Sequence, residues 1–110
     1  MITGIEDTDA SSPKGFSLLQ NYPNPFNPTT KINYSIPQTG IVTLKVFDIL
    51  GNEIATLINE EQSAGEYEVE FSADGGSAYG GNVSNLSSGI YFYKITAGNY
   101  KATMKMILLK

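Results

Sequence analysis

Three glutamates at alternating positions are the residues whose types and spacing most suggest a chemical site. Glu66, Glu68 and Glu70 are separated by single residues, so in a strand their side chains would lie on one face at intervals of about 7 Å. Calcium binding needs six to eight converging oxygens, and glycoside hydrolysis needs a second carboxylate across a cleft. One flat strand supplies neither, so we expect these carboxylates to face water and predict no metal site and no catalytic site.

The composition removes several other chemistries. The 110 residues contain no cysteine, no histidine and no tryptophan. A Ser-His-Asp triad, a cysteine nucleophile and a Cys/His zinc site are therefore impossible within the chain. The net charge of −4 repels a phosphate backbone, which argues against nucleic acid as a partner. The chain has no apolar run of eighteen residues, so we expect no membrane span. These observations favour a noncatalytic protein without a cofactor.

Short segments of alternating apolar and polar residues are typical of half-buried β-strands. An edge strand is predicted within residues 16–21, and further strands over residues 31–36, 41–47, 53–59, 65–71, 90–97 and 100–109. Residues 53–59 also fit a helical turn, but so short a helix without a cap would be marginal. About seven strands joined by turns rich in glycine and proline predict an all-β sandwich of two antiparallel sheets.

The alternation also predicts which side chains form the core. In residues 65–71 we expect Tyr67, Val69 and Phe71 to point inward, and in the last strand the inward phase includes Met106 and Leu108. Most aromatic residues share the inward phase, so core packing explains them better than a sugar-binding platform does. Two exceptions, Phe47 and Phe92, are out of phase with their inward neighbours.

The segments between the strands differ in character. Residues 1–15 have no period and are interpreted as a linker. Residues 72–88 hold four glycines and no pattern, which predicts a mobile loop. Within residues 48–52, Gly51 is placed to adopt a positive φ in a hairpin, and Gly98-Asn99 predicts a two-residue hairpin turn. Three prolines within residues 21–29 exclude a helix or a central strand there and favour a rigid turned segment.

Five ordered blocks of sequence resemble a known family. They are LQNYPNPFNPTT at 19–30, VTLKVFDILG at 42–51, AGEY at 64–67, LSSGIYFY at 86–93 and KMILLK at 105–110. Together they resemble the C-terminal sorting domain, type A, of proteins exported by the type IX (Por) secretion system of Bacteroidetes and their relatives. The resemblance spans residues 16–110. The motif residues are Asn21, Pro23, Asn24, Pro25, Phe26, Asn27, Pro28, Asp48, Gly51, Gly65, Gly89 and Tyr91.

The resemblance implies an immunoglobulin-like sandwich, similar to the Ig-like domain of flagellar hook-capping proteins, over residues 16–110. Residues 1–15 would then link this domain to an upstream cargo. The implied function is noncatalytic sorting: the cargo passes through the periplasm and crosses the outer membrane to the cell surface or the medium. The implied partners are the secretion machinery and a sortase-like peptidase of the outer membrane, which would remove the domain and anchor the cargo.

Two parts of the sequence are candidate recognition elements under this interpretation. The first is the end of the chain, where we predict a recognition role, through strand-edge or terminal-carboxylate capture, for Lys105, Met106, Leu108, Leu109 and Lys110. Without the resemblance, the pattern of these residues predicts only that they form the last strand. The second is the proline-rich segment, for which a structural role as a stiff turn is favoured over a binding epitope.

An alternative function belongs to a different class. A β-sandwich in a secreted protein can also be an accessory carbohydrate-binding or adhesion module. In that case exposed aromatic side chains such as Tyr79, Phe92 or Tyr100 would stack on sugar rings. A signal peptide and a cargo upstream of this domain would favour sorting, whereas binding of the isolated domain to polysaccharide would favour the alternative.

Overall fold

The computed structural model describes residues 15–74 and 86–110. Within these ranges the chain forms seven strands and no helix. The strands are β1 (Ser17–Leu18), β2 (Thr29–Ile36), β3 (Gly40–Phe47), β4 (Glu53–Gln62), β5 (Gly65–Ser72), β6 (Gly89–Ala97) and β7 (Tyr100–Leu108). They build two antiparallel sheets, ordered β1-β2-β5 and β4-β3-β6-β7. The predicted all-β, immunoglobulin-like sandwich is therefore confirmed.

The core lies between the two sheets and follows the predicted alternation. Strands β2, β3 and β6 each contribute every second side chain to it, because successive side chains of a strand point to opposite faces. The fully buried large residues include Ile32, Tyr34, Val42, Leu44, Val46, Tyr93, Ile95, Met106 and Leu108. Strand β6 lies between β3 and β7, so both of its edges are paired; its inner face is buried, and its outer face carries Ile90 and Phe92 together with Lys94 and Thr96.

Two of the four edge strands, β4 and β5, show where alternation was an incomplete guide. Residues 53–59 are part of a strand, as predicted, but β4 contains register irregularities opposite Leu44 and Val46, so Ala55 and Leu57 are the buried residues. In β5 only Phe71 is buried, whereas Tyr67 and Val69 are half-buried. Strand β5 pairs with β2 on one side only, so its side chains are less completely covered.

The sequence Gly-x-Tyr occurs at the start of both β5 and β6, and it has the same geometry each time. The hydroxyl of Tyr67 donates a hydrogen bond of 2.6 Å to the carbonyl of Ser63. The hydroxyl of Tyr91 donates one of 2.7 Å to the carbonyl of Ser87. Each tyrosine thus ties its strand to the turn four residues upstream, in the manner of the tyrosine corner of immunoglobulin-like sandwiches.

The two predicted glycine turns are confirmed, but the loop predicted over 72–88 is ordered at its described ends, where Ser72 belongs to β5 and Ala73 is fully buried. Gly51 has φ of 89° in the β3–β4 loop, and Gly98 has φ of 60° in the turn that pairs Ala97 with Tyr100. The linker and loop predictions for residues 1–14 and 75–85 lie outside the described residues. The ends of that loop are joined, because the Leu86 amide donates to the Ala73 carbonyl at 3.3 Å. None of the described segments is a helix long and apolar enough to cross a membrane.

Candidate recognition surface at the C-terminal strand

The candidate residues at the end of the chain fall into buried and exposed groups. Met106 and Leu108 are fully buried in the core. Lys105 is exposed on the outer face of the sheet, and Leu109 and Lys110 follow β7 and are also exposed. A partner of the folded domain can therefore contact Lys105, Leu109 and Lys110, while Met106 and Leu108 hold the strand in place. The recognition role of these residues remains a prediction.

The proline-rich segment runs along the outer edge of β7. The side-chain amide of Gln20 donates to the Lys105 carbonyl at 2.7 Å, and the Asn24 side-chain oxygen accepts the Ile107 amide at 2.9 Å. The Phe26 amide donates to the Ile107 carbonyl at 2.9 Å, and its carbonyl accepts the Leu109 amide at 3.0 Å. Phe26 and Leu108 form a parallel bridge. Four hydrogen bonds therefore occupy this edge from Lys105 to Leu109.

The covered edge of β7 limits which groups a partner could contact. A free strand edge offers unpaired amides and carbonyls to an added strand, but the C-terminal half of β7 already has partners. The exposed side chains and the terminal carboxylate are therefore the accessible features at this end. Phe26 anchors the covering segment, because it is 1% exposed and meets Phe71 edge to face, with ring centroids 6.0 Å apart.

Asn21 fixes the start of the proline-rich segment to the core. It is 2% exposed, and its side-chain amide donates to the Thr30 hydroxyl at 3.0 Å and the Pro23 carbonyl at 3.2 Å. Its backbone amide donates to the Tyr93 hydroxyl at 2.8 Å, and that hydroxyl donates to the Leu19 carbonyl at 2.6 Å. Burial raises the pKa of Tyr93 to about 12, although the Asn21 amide favours the ionised form. These contacts support the structural interpretation of the segment.

The peptide bonds before the three prolines of this segment, Pro23, Pro25 and Pro28, are cis. The segment forms no strand before β2 begins at Thr29. Among the described residues it makes two isolated bridges, from Tyr22 to Lys31 and from Phe26 to Leu108. Of the motif asparagines and prolines, Asn24 and Asn27 are exposed with Pro23 and Pro25. Pro28 is half-buried, and its carbonyl accepts the Ala73 amide at 2.8 Å. The segment is turned, as predicted.

Asp48 organises the β3–β4 loop. One carboxylate oxygen accepts the amides of Leu50 at 3.0 Å and Asn52 at 2.9 Å, and the other accepts the Asn52 side-chain amide at 3.2 Å. The Asn52 amide, more than any other group, holds the pKa of Asp48 below its ordinary value. The loop presents Ile49 and Leu50 to solvent, with 65% and 82% of their surface exposed. Its Asp-x-Leu-Gly motif is thus a rigid turn.

Other candidate groups do not come together as a site. Glu68 forms an ion pair of 3.2 Å with Lys31 on the outer face of the three-stranded sheet, and Glu66 and Glu70 are exposed beside it. Among residues 15–74 and 86–110, no group of three acidic side chains is arranged to hold a metal ion. Tyr100 is 7% exposed and stacks on Phe16 at 4.8 Å, so it cannot also stack on a sugar.

Reasoning from the sequence missed Gln20 and Tyr93 as parts of this region. Gln20 contacts a carbonyl 85 positions away, and Tyr93 contacts Asn21 across 72 positions. Alternation identifies Tyr93 as a core residue but gives no signal for the partner of its hydroxyl. The only available signal is general: a buried tyrosine hydroxyl and a buried asparagine both require hydrogen-bond partners.

Three comparisons relate this chain to known proteins. Residues 20–109 match the family described as the secretion system C-terminal sorting domain. A comparison with curated proteins finds no match. The crystal structure of dimeric latent PorU from Porphyromonas gingivalis is similar with a TM-score of 0.61 and 16% identity, over 93% of this chain and 10% of that one. At this identity the likeness shows the fold alone. Because the family match extends from the proline-rich segment through β7, the chain belongs to the type IX secretion C-terminal sorting domain family.

Proposed function

We propose that this domain directs an upstream cargo through the periplasm and across the outer membrane by the type IX secretion system, and that the machinery recognises it as a folded unit. The family match over residues 20–109 is the observation that carries the proposal. Family membership itself implies a targeting module and export to the cell surface or the medium. The proposal adds how the signal is presented and what happens to it after export.

The contacts of β7 support recognition of the folded domain. The C-terminal half of this strand has its buried face in the core and its outer edge covered by the proline-rich segment. The two family motifs most distant in sequence therefore form one structural unit. A linear signal would need neither the second motif nor the sandwich beneath it, whereas a surface built from Lys105, Leu109 and Lys110 needs both.

We further propose that a sortase-like peptidase of the outer membrane removes the domain and exchanges it for a surface anchor. The linker proposed for residues 1–15 would be the place of cleavage, because an extended segment can enter a peptidase active site, whereas a packed strand cannot. The alternative of a carbohydrate-binding module is less well supported. Of its three candidate residues, Tyr100 is buried, Phe92 is half-buried in the sheet, and Tyr79 lies outside the described residues.

The test is a fluorescent protein joined upstream of residues 1–110 and produced in a host with an active type IX system. We expect the fluorescence at the cell surface or in the medium, and in the periplasm of an otherwise identical host lacking the system. Retention in the periplasm of the active host would refute sorting. Cleavage is checked separately by the mass of the exported fluorescent protein, which should lack the sandwich; export at full mass would contradict the peptidase step alone.

A matched variant tests the terminal residues. Replacing both Lys105 and Lys110 with alanine should change the unfolding free energy by no more than about 0.5 kcal/mol, because both residues are exposed. Lys110 also lies 3.6 Å from Asp74, but an exposed ion pair contributes little. We expect reduced export with unchanged stability. Export at the parental level would show that these two lysines carry no signal.

A further inference from the structure

The outer face of the four-stranded sheet gathers most of the positive charge of an acidic protein. Of the seven lysines in the chain, four lie on this face, which we call the basic face: Lys45 on β3, Lys94 on β6, and Lys101 and Lys105 on β7. The alternation of each strand places them opposite the buried residues. Two glutamates, Glu53 and Glu61, share the face, and both lie on the edge strand β4.

Lys94 is the centre of this group. It pairs directly with Lys45 on one neighbouring strand and with Thr103 on the other, so Lys101 and Lys105 are its two diagonal neighbours, about 7–8 Å away. Lys45 has a carboxylate partner, Glu53, at 3.2 Å. In the described part of the chain no carboxylate lies within ion-pair distance of Lys94, Lys101 or Lys105. Like charges on directly paired residues are destabilising, so folding stability does not explain this cluster.

The same face carries the aromatic residues that break the inward phase of alternation. Phe47 and Phe92 are directly paired across β3 and β6, and the next pair on β7 is Phe92 with Lys105. Ile90 and Ile107 form a further apolar pair beside them. All four side chains are at least partly exposed. The basic face therefore has an apolar strip at one end, formed by the pairs Phe47–Phe92 and Ile90–Ile107. Lys45, Lys94 and Lys105 lie beside this strip, and their aliphatic stems can extend over it.

The opposite side of the sandwich has the opposite charge. On the outer face of the three-stranded sheet, Glu66, Glu68 and Glu70 lie in line along β5. Lys31 on β2 is the one lysine that the described residues place beside them. Charge is thus separated between the two faces of one small domain. A positive patch beside an apolar strip is complementary to an acidic surface that also buries apolar area.

We propose that the basic face docks onto an acidic, partly apolar surface of a protein of the secretion apparatus. The inference rests on the proposed function, and it extends the recognition surface from Lys105 across β6 and β3. A protein partner is favoured over a lipid surface, because Phe47 and Phe92 are half-buried on the outer face of the sheet, whereas a membrane-surface segment inserts a fully exposed apolar face. Lys94 has no ion-pair partner among the described residues, so in this interface its ammonium group would pair with an acidic side chain of the partner and help to determine specificity.

The test compares threonine substitutions on the two faces, since threonine suits a strand and occupies the neighbouring positions Thr96 and Thr103. The double variant Lys94→Thr, Lys101→Thr should melt at or above the parental temperature, because it removes like-charge neighbours. Export of the fluorescent cargo should fall at least about threefold, as loss of interface charges slows association. The control Lys31→Thr, on the opposite face, should be exported like the parent.

Several outcomes would overturn the inference. Parental export of a folded Lys94→Thr, Lys101→Thr variant would do so while leaving the proposed function intact, whereas failure of the parental fusion would refute both. Lys94→Arg keeps the charge, so a loss of export equal to that of Lys94→Thr would exclude an electrostatic role. Binding of the purified chain to vesicles of anionic phospholipid that depends on Lys94 and Lys101 would assign the face to a lipid surface instead.

Discussion

Replacing Tyr93 with phenylalanine should loosen the proline-rich segment without leaving a cavity in the core. The ring is fully buried in β6, and only its hydroxyl reaches the segment. That hydroxyl accepts the buried amide of Asn21 at 2.8 Å and donates to the half-buried carbonyl of Leu19 at 2.6 Å. Phenylalanine keeps the packing of the ring and leaves both backbone groups without their partner.

The magnitude follows from those two groups. A buried donor left unsatisfied costs about 1–3 kcal/mol, and a carbonyl that water can reach costs less. We therefore expect a loss of about 2–3 kcal/mol in the free energy of unfolding. For a domain of this size the melting temperature should fall by roughly 10 °C. The matched control is Tyr67→Phe, which removes a single exposed hydrogen bond to Ser63 and should cost about 0.5 kcal/mol.

Urea unfolding of the two variants and the parent measures these differences, and hydrogen exchange at the Asn21 amide tests their location. Exchange at that amide should become faster in Tyr93→Phe, because its acceptor is gone. Equal losses of stability in Tyr93→Phe and Tyr67→Phe would refute the reasoning, since the buried position of the first hydroxyl would then have no energetic effect.

Three further predictions concern backbone conformation and ionisation. Gly51→Ala should lower the free energy of unfolding, measured in urea, by about 1–2 kcal/mol, because φ at this residue is 89°. The control Gly40→Ala should lower it less, because a Cβ there would meet open space and φ is ordinary. Equal losses would contradict a conformational cause. The pKa of Tyr93 is near 10 in the unfolded chain and about 12 in the folded chain. The stability that the neutral hydroxyl contributes should therefore be fully present below pH 10 and should be lost as the pH rises toward 12. An equally steep fall in Tyr93→Phe would exclude Tyr93 as its source. In an NMR pH series the pKa of Asp48 should lie below the ordinary 3.8 of an aspartate. The stability that its carboxylate contributes should be lost as the pH falls through that lowered pKa. A pKa at or above 3.8 would contradict the hydrogen bonds of the loop.

Local patterns in the sequence predicted most of the sandwich because a strand with one buried face records that burial in its own residues. Ile32, Tyr34 and Ile36 in β2 and Val42, Leu44 and Val46 in β3 are all buried as expected. The pattern was a weaker guide at the sheet edges. In β5, Tyr67 and Val69 alternate like core residues but are half-buried, because alternation shows which face a side chain takes and not how much of that face is covered.

Local sequence patterns could not predict the contacts that build the candidate recognition surface. The prolines predicted a stiff turn, but nothing local to residues 20–26 shows that this turn covers the edge of a strand more than 80 positions later. The basic face is a similar case. Phe47 and Phe92 were visibly out of phase in the sequence, yet their direct pairing and the lysines beside them depend on the register between β3, β6 and β7, which only the folded sheet defines.

The positions of the two ends of the sandwich have a mechanical consequence. Gly15 lies beside Pro37 and accepts the Ser35 hydroxyl at 3.0 Å, where β2 ends. Lys110 lies at the opposite end, where its amide donates to the Ser88 hydroxyl at 2.9 Å and its side chain approaches Asp74. Tension between a cargo upstream of Gly15 and a grip on the C-terminus would therefore act along the strands. Sheet hydrogen bonds run across that direction, so several bonds along a strand would bear the load together and would not open one after another.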